Sequence, residues 1–322
     1  MRASIIIPVY NAEKYIEKCI ESILPQLTKE DELILINASS TDNSKKICET
    51  FAEQNSGVIV YTIENAGPSK SRNEGIKRAK GDYILFIDAD DYVEKNYVSK
   101  MLSEVEENEM VICSYYRIQE ESQEKFEKKY CNQTKVISKE KMIELYEKEL
   151  LSIVWNKIYK RELIEKYNIL FDEAITKGED LLFNLDYVQY IDKLKVLPDK
   201  LYYYISKKTG INRSFKEPLE NRLSRTKRMY YAFIKATNVQ NKETIIQNIV
   251  DMNFLHLRNY IKEEKIHNPL EILKVLKNKT NLDYIFKEDN SNSEIEVLKK
   301  MYEKNHILRM YVKNKLTLRK RK

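Results

Sequence analysis

Apolar residues in this chain arrive as short unbroken runs separated by stretches of helical spacing. Ser4-Ile5-Ile6-Ile7-Pro8-Val9, Leu33-Ile34-Leu35-Ile36, Val58-Ile59-Val60-Tyr61 and Tyr83-Ile84-Leu85-Phe86-Ile87 are long enough for buried strands and too short for most helices. Between them, Ile16, Cys19, Ile20, Ile23 and Leu24 form one helical face, and Ile47, Cys48 and Phe51 begin another. Asn11, and later Ser40-Thr41-Asp42, offer caps to these helices. Asn65-Ala66-Gly67-Pro68-Ser69 reads as a turn, with Pro68 in the first turn of a helix that runs to about Ala79 and stops by Gly81. A helix over Glu94 to Glu107 and a strand over Val111 to Tyr115 follow. The alternation predicts an α/β fold with a mostly parallel sheet covered on both faces. Three strand ends should then meet on one edge: Tyr10-Asn11, Asn37-Ala38 and Asp88-Asp90.

Beyond this point the pattern weakens. Glu120 to Lys129 is mostly charged and predicts an exposed loop or insertion. Ile153 to Lys157 opens a new ordered stretch, Leu181 to Ile191 has helical spacing, and Leu201-Tyr202-Tyr203-Tyr204-Ile205 reads as a strand. After about Phe215 only amphipathic helices are predicted, one of them around Ile245 to Ile261. The expected division is an α/β domain over 1–215 and a helical C-terminal region over 216–322.

Composition narrows the class. The 322 residues contain 6 Gly and 6 Pro, too few for long linkers, and 33% of them are charged at a mean hydropathy of -0.59. No apolar run approaches the ~20 residues of a membrane span. The first residues enter a strand at once, which reads as no signal peptide. Cys19, Cys48, Cys113 and Cys131 lack metal spacing and suit a reducing cytosol. The net charge of +6 is uneven: Arg309 to Lys322 carries seven Lys or Arg and no acid. That tail suits either peripheral contact with an anionic inner membrane face or a solvated end. No nucleic-acid motif accompanies the charge. None of His256, His267 and His306 is assigned to metal.

The chemistry concentrates where the fourth strand runs into Asp88-Ala89-Asp90-Asp91. A buried strand cannot hold three carboxylates, so they lie beyond its end. An Asp-x-Asp pair suits a hard divalent cation carrying phosphate oxygens, although alone it could be a solvated acidic turn. Other segments accompany it in order: Ser4 to Glu13, Ser40 to Ser44, Glu64 to Gly67, Ser71-Arg72-Asn73, Gly81 to Asp91, Trp155-Asn156-Lys157 and Gly178-Glu179-Asp180. Together they resemble the family 2 glycosyltransferases of bacterial polysaccharide assembly, which have the GT-A fold.

The resemblance implies transfer of a sugar, with inversion, from a nucleotide-diphosphate donor, commonly a UDP-sugar. The acceptor would be a glycan or lipid-linked hydroxyl in cell-envelope synthesis. It implies Mn²⁺ or Mg²⁺ held by Asp90, with Asp88 facing the ribose or a metal-bound water. Asp180 is the candidate general base, with Glu179 behind it; without the other motifs the two would read as acids favoured by a helix N-terminus. Pro8, Tyr10, Glu13, Asn37, Ala38, Asn65 and Ala89 would border the nucleotide-sugar, with Lys70 and Arg72 reaching its nucleotide side unless they form a solvated basic face. Trp155 and Lys157 would lie by the acceptor. The C-terminal helices carry no comparable signature; they could serve a homo-oligomer.

Two positions depart from the family pattern. Ala38 stands where the family usually has an acid that grips the base, and losing a charged acceptor costs ~1.5–3 kcal/mol. Ser39 replaces a Gly; if its φ is positive, Ser is disfavoured there by ~1 kcal/mol or more. Further on, Ile205 replaces a frequent Arg, with Arg213 in the loop that follows. These departures leave open a second expectation, a weakened or inactive relative that scaffolds a partner. A nucleotidyltransferase would need a Gly-rich phosphate loop after the first strand, and Tyr10-Asn11-Ala12-Glu13 is not one.

Overall fold

The computed structural model describes residues 2–207 apart from 65, 106 and 176, then residues 218–237 and eight positions between 249 and 264. The expectations for Asn65, Arg213, His267, His306, the basic tail and most of the helix around 245–261 fall outside the described residues. Chain contacts divide the protein into two compact units, residues 1–215 with 235–238, and residues 216–234 with 239–322.

The first unit is built on one ten-stranded sheet in the order β3-β2-β1-β4-β9-β6-β10-β5, with β7 and β8 beside β6 and β10. The first three strands are β1 (Ala3–Val9), β2 (Glu32–Asn37) and β3 (Val58–Thr62). Then come β4 (Tyr83–Phe86), β5 (Tyr92–Val93), β6 (Met110–Gln119) and β7 (Lys125–Lys128). Last are β8 (Lys135–Ser138), β9 (Lys157–Lys160) and β10 (Lys193–Ser206). Pairings β3–β2–β1–β4 and β6–β10 are parallel. β9 runs antiparallel to both β4 and β6, and β5, β7 and β8 are antiparallel to their neighbours. The six strands β1 to β4, β6 and β10 therefore point the same way, as the α/β pattern predicts, and their C-terminal ends share one edge.

The helices follow from the apolar spacing. α1 (Ile16–Ile23) buries Ile16, Cys19, Ile20 and Ile23 completely. α2 (Ser44–Gln54) follows β2, and α3 (Pro68–Arg78) starts on Pro68. α3 lies so close to β1 that a Cβ on Gly75 would sit 2.3 Å from Cγ2 of Ile6, so only glycine fits. α4 (Tyr97–Val105), α5 (Met142–Glu147), α6 (Arg161–Lys166) and α7 (Glu179–Val188) complete the unit. Phe86 meets Tyr159, Phe171 and Phe183 edge-on at 5.4–5.7 Å between ring centroids, which pins α7 to the sheet beside the end of β4.

One segment differs from its expectation. The charged stretch 120–129 contains β7, which pairs with β6 as an antiparallel hairpin. Its residues are mostly exposed, as suits an edge strand protected by lysines, and that exposure hides the strand from a hydrophobicity reading. α8 spans Leu219–Thr237; in its part that belongs to the second unit it buries Leu219, Met229, Tyr230 and Phe233, and both guanidinium NH groups of Arg222 bond the Glu263 carboxylate at 3.2 and 2.7 Å.

Candidate active site

Two loops meet beyond β1 and β2. Asn11, at φ 48°, accepts a bond from the Thr41 N–H at 2.9 Å, and Ser40 Oγ accepts one from the Asn11 N–H at 3.1 Å. Glu13 accepts from the N–H and the side-chain amide of Asn43, both at 3.1 Å. Asp42 accepts from the Glu13 N–H at 3.1 Å, and Ser44 Oγ accepts from the Ala12 N–H at 2.7 Å. Burial raises the Asp42 carboxyl, but hydrogen bonds from Ser44 and Glu13 outweigh it and hold the group below its usual range. Glu13, expected to border the nucleotide-sugar, holds Asn43 just before α2.

The remaining donor-side candidates vary in exposure. Tyr10 is 51% exposed beyond β1, while Asn37, Ala38 and Ala89 are buried and Pro8 half-buried. Asn37 turns its amide to Thr62 Oγ1 at 3.4 Å and accepts the Ser40 N–H. Ser39 has φ 54°, the left-handed conformation the family glycine would suit, and its hydroxyl donates to Ile63 O at 2.9 Å. Lys70 donates to Glu64 O at 3.4 Å.

Beyond β4 the acids are bound to the fold in three different ways. Arg72, from the buried side of α3, donates to Asp88 at 2.8 Å and to Asp180 at 3.0 Å. Arg72 is therefore an interior bridge rather than part of a solvated basic face. Its buried Nε has no hydrogen-bond partner among the described residues. Asp180 sits in the first turn of α7, behind Gly178 at φ 84°. Burial raises Asp88 and Asp180 to about 6 each, with Arg72 pulling the other way. Asp91 is buried, accepting from Tyr202 OH at 2.8 Å and the Ile205 N–H at 2.7 Å. Burial pushes Asp91 well above its usual range. The same Tyr202 oxygen accepts the Asp88 N–H at 3.1 Å, so the β10 end supports the acidic turn from below.

Asp90 is the acid left facing outward, with a side chain 40% exposed, and its partner is the Lys207 ammonium at 2.7 Å. Lys207 lies 3.8 Å from the centre of the Tyr15 ring, and Tyr15 OH donates to Glu120 at 2.6 Å. Beside it is a cavity of about 350 Å³ lined by Arg117, Gln119, Glu120, Glu121, Ser122, Ser206 and Lys207. No group of three or more His, Cys, Asp or Glu side chains among the described residues could hold a metal ion unaided. The donor set nevertheless fits Mg²⁺ or Mn²⁺, which bind through one or two carboxylates plus substrate phosphates and water. A cation already occupies the outer oxygen of Asp90.

Lys207, Tyr202 and Glu120 were not foreseen. Glu120 and Lys207 follow the ends of β6 and β10, and Tyr202 lies within β10; the one available signal was that these strands run to the same sheet edge as Asp90. Trp155 and Lys157, expected by the acceptor, are buried instead. Trp155 stacks on Tyr202 at 4.1 Å and meets Tyr115 edge-on at 4.7 Å, a place in the aromatic core of the wall. Lys157 is fully buried, and its ammonium reaches only the 150–156 loop. Glu179 is half-buried beside Asp180.

Comparison with known proteins identifies the family and the fold. The family described as Glycosyl transferase family 2 matches residues 4–168. The uncharacterized glycosyltransferase EpsJ of Bacillus subtilis (strain 168) is 37% identical over 207 residues, 62% of this chain and 60% of EpsJ. Glycosyltransferase GlyA of Streptococcus pneumoniae serotype 4 is 32% identical over 229 residues, 67% of this chain and 32% of GlyA. The chain thus spans at most about 60% of the length of these relatives. The crystal structure of S. aureus TarS 1–349 in complex with UDP-GlcNAc superposes with TM-score 0.75 at 20% identity, covering 99% of this chain and 92% of that one. It shares the fold, a mixed α/β sheet flanked by helices. With its family match spanning β1 to the end of α6 and carrying both the Asp-x-Asp turn and Arg72, the chain belongs to glycosyl transferase family 2.

Proposed function

We propose that this chain is an inverting glycosyltransferase that moves a sugar from a UDP-sugar to a hydroxyl of a glycan or other cell-surface polysaccharide. The observation that carries the reading is the Arg72 bridge: one buried guanidinium holds the strand-end acid Asp88 and the helix-end acid Asp180 together. A nucleotide cleft and a candidate base therefore share one wall. The fold neighbour TarS binds UDP-GlcNAc, which supports a uridine nucleotide donor.

Each residue has a derived task. The interlocked loops 10–13 and 39–44 present Tyr10 toward the nucleotide. Asp180, raised by burial, stays basic enough to accept the acceptor hydroxyl's proton as it attacks. Arg72 fixes that carboxylate and orients it. Asp90, with waters and the donor's phosphates, would hold Mg²⁺ or Mn²⁺, which supplies Lewis-acid neutralisation of the leaving diphosphate when bound. Lys207 must leave Asp90 for that to happen, and it then lies free beside the same charge. No helix among the described residues is long and apolar enough to cross a membrane. A cytoplasmic enzyme acting at the inner membrane face fits the cysteine usage and the basic tail.

The test is UDP release from a panel of UDP-glucose, UDP-galactose, UDP-GlcNAc and UDP-GalNAc with Mn²⁺, with GDP- and CDP-sugars as controls. Turnover confined to one UDP-sugar is expected. Binding of none of UDP, GDP or CDP by calorimetry would instead establish the scaffold alternative.

A further inference from the structure

The turn that carries Asp90 closes on itself: the Asp91 N–H meets Asp88 O at 3.1 Å, with Ala89 and Asp90 between them. Its far end enters β5, where Val93 pairs with Tyr202 of β10 and the Glu94 N–H bonds Leu201 O at 2.9 Å. Its near end is held by a side chain. Tyr202 OH accepts the Asp88 N–H at 3.1 Å and donates to Asp91 Oδ2 at 2.8 Å, so one phenol oxygen spans both ends of the turn. The hydroxyl is used once as acceptor and once as donor. The other Asp91 oxygen, Oδ1, accepts the Ile205 N–H at 2.7 Å. Two residues further along the chain, Lys207 reaches Asp90 Oδ2 at 2.7 Å.

The hydroxyl itself has a fixed place. Tyr202 is fully buried, and its ring stacks on Trp155 at 4.1 Å and meets Tyr97 edge-on at 6.1 Å. A turn between paired strands needs no acid beneath it, because its own backbone bond and the β5–β10 pairing already close it. A buried carboxylate is costly unless it is bonded, and here both its oxygens are. What the pair adds is a rigid link from the two ends of the turn to the end of β10. Asp90, at the third position of that turn, is left with its side chain 40% exposed.

We infer that Tyr202 and Asp91 are positioning residues for Asp90: the phenol pins both ends of the 88–91 turn and the Asp91 carboxylate ties the turn to the end of β10, so that the outward Asp90 side chain is preset for a divalent cation. The inference rests on the reading of Asp90 as the acid that holds the metal. Both residues act through the backbone of the turn, since the Tyr202 hydroxyl and both Asp91 oxygens are already bonded within the fold. Their effect should therefore fall on cation affinity, where loss of a group that orients a ligand costs roughly 10- to 100-fold.

The experiment uses Tyr202→Phe, which keeps the stacked ring, and Asp91→Asn, which keeps one of the two oxygens. Tyr97→Phe is the control for core support: it loses a buried bond to Trp155 O in the same aromatic wall but none to the turn. Mn²⁺ affinity is read by electron paramagnetic resonance of the free ion at saturating UDP, and UDP affinity by calorimetry in the presence of a chelator. The expected result is Mn²⁺ binding weakened roughly 10- to 100-fold in Tyr202→Phe and a few-fold in Asp91→Asn, with the control at wild-type affinity and UDP binding without metal unchanged throughout. If Tyr202→Phe does not fold, Asp91→Asn decides. Wild-type Mn²⁺ affinity in the folded variants would overturn the inference, as would an equal loss in Tyr97→Phe or a loss confined to UDP affinity. Asp90→Asn tells the two readings apart: weakened Mn²⁺ binding there keeps the metal assignment whatever Tyr202→Phe shows, and wild-type Mn²⁺ affinity there would overturn that assignment and the inference with it.

Discussion

Around the ends of β1 and β2, the carboxylates and hydroxyls of Glu13, Asp42, Ser40 and Ser44 accept bonds from backbone N–H groups of a facing loop. Around the end of β4, Asp88 and Asp180 share a guanidinium and Asp91 is held by Tyr202. The first region ties two loops together with side-chain acceptors on backbone N–H groups; the second stores opposite charges in a partly buried seam. The difference teaches which groups remain available to a ligand. On the loop side it is Tyr10, whose ring is exposed. On the seam side it is Asp90, whose side chain is 40% exposed and whose partner is the Lys207 ammonium.

The largest expected effect comes from breaking the seam. Arg72→Met leaves two carboxylates close together without their shared cation, and breaking a buried ion pair costs about 3–5 kcal/mol. A lower thermal midpoint and turnover reduced more than ~100-fold are expected, read by calorimetry and UDP release. A variant as stable and active as wild type would show that the bridge is incidental.

A second effect is a pH dependence that the loop side should not produce. Asp180 must be ionised to act as base, and burial raises it to about 6. The rate should therefore fall about tenfold per pH unit below roughly 6, whereas an unburied carboxylate would keep full rate down to about pH 4. The pH profile of kcat checks the sign. Because Asp88 is raised by the same burial, the acid limb reports the pair jointly.

Smaller again is the contest at Asp90. Lys207→Met should tighten Mn²⁺ binding by up to about fivefold, the equivalent of an exposed ion pair worth ~1 kcal/mol or less. Electron paramagnetic resonance of free Mn²⁺ measures it. Weaker binding would mean that Lys207 assists the cation instead. The smallest change belongs to the loop side. Ser39→Gly relieves a residue at φ 54° but removes its bond to Ile63 O, so a gain below ~1 kcal/mol is expected by thermal melting.

The same contrast explains what could be read from the sequence. The parallel β1 to β4 core was legible because each strand is an unbroken apolar run. Asp88, Asp90 and Asp180 were legible because each lies in a contiguous motif, and so was Ser39's strain, stated as conditional on φ. The insertion of β9 between β4 and β6 was not, because strand order depends on pairings distant in sequence. Arg72 read as a contact on the nucleotide side or part of a solvated basic face, and its role as an interior bridge stayed hidden because helical spacing does not tell which polar residue faces inward. Lys157 read as an acceptor contact because its burial depends on two carbonyls and a side chain, those of Leu150, Ile153 and Asn156, brought together by the fold. Lys207 had no motif at all; its meaning comes from lying across the sheet edge from Asp90.

The central claim is that the seam performs transfer while the interlocked loops hold the donor. Asp180→Asn separates the two most directly, measured as UDP affinity by calorimetry beside turnover of the preferred UDP-sugar with Mn²⁺. The account predicts UDP affinity within about twofold of wild type and turnover lowered roughly 10²- to 10⁴-fold. Turnover near the wild-type rate in a folded Asp180→Asn protein would contradict it.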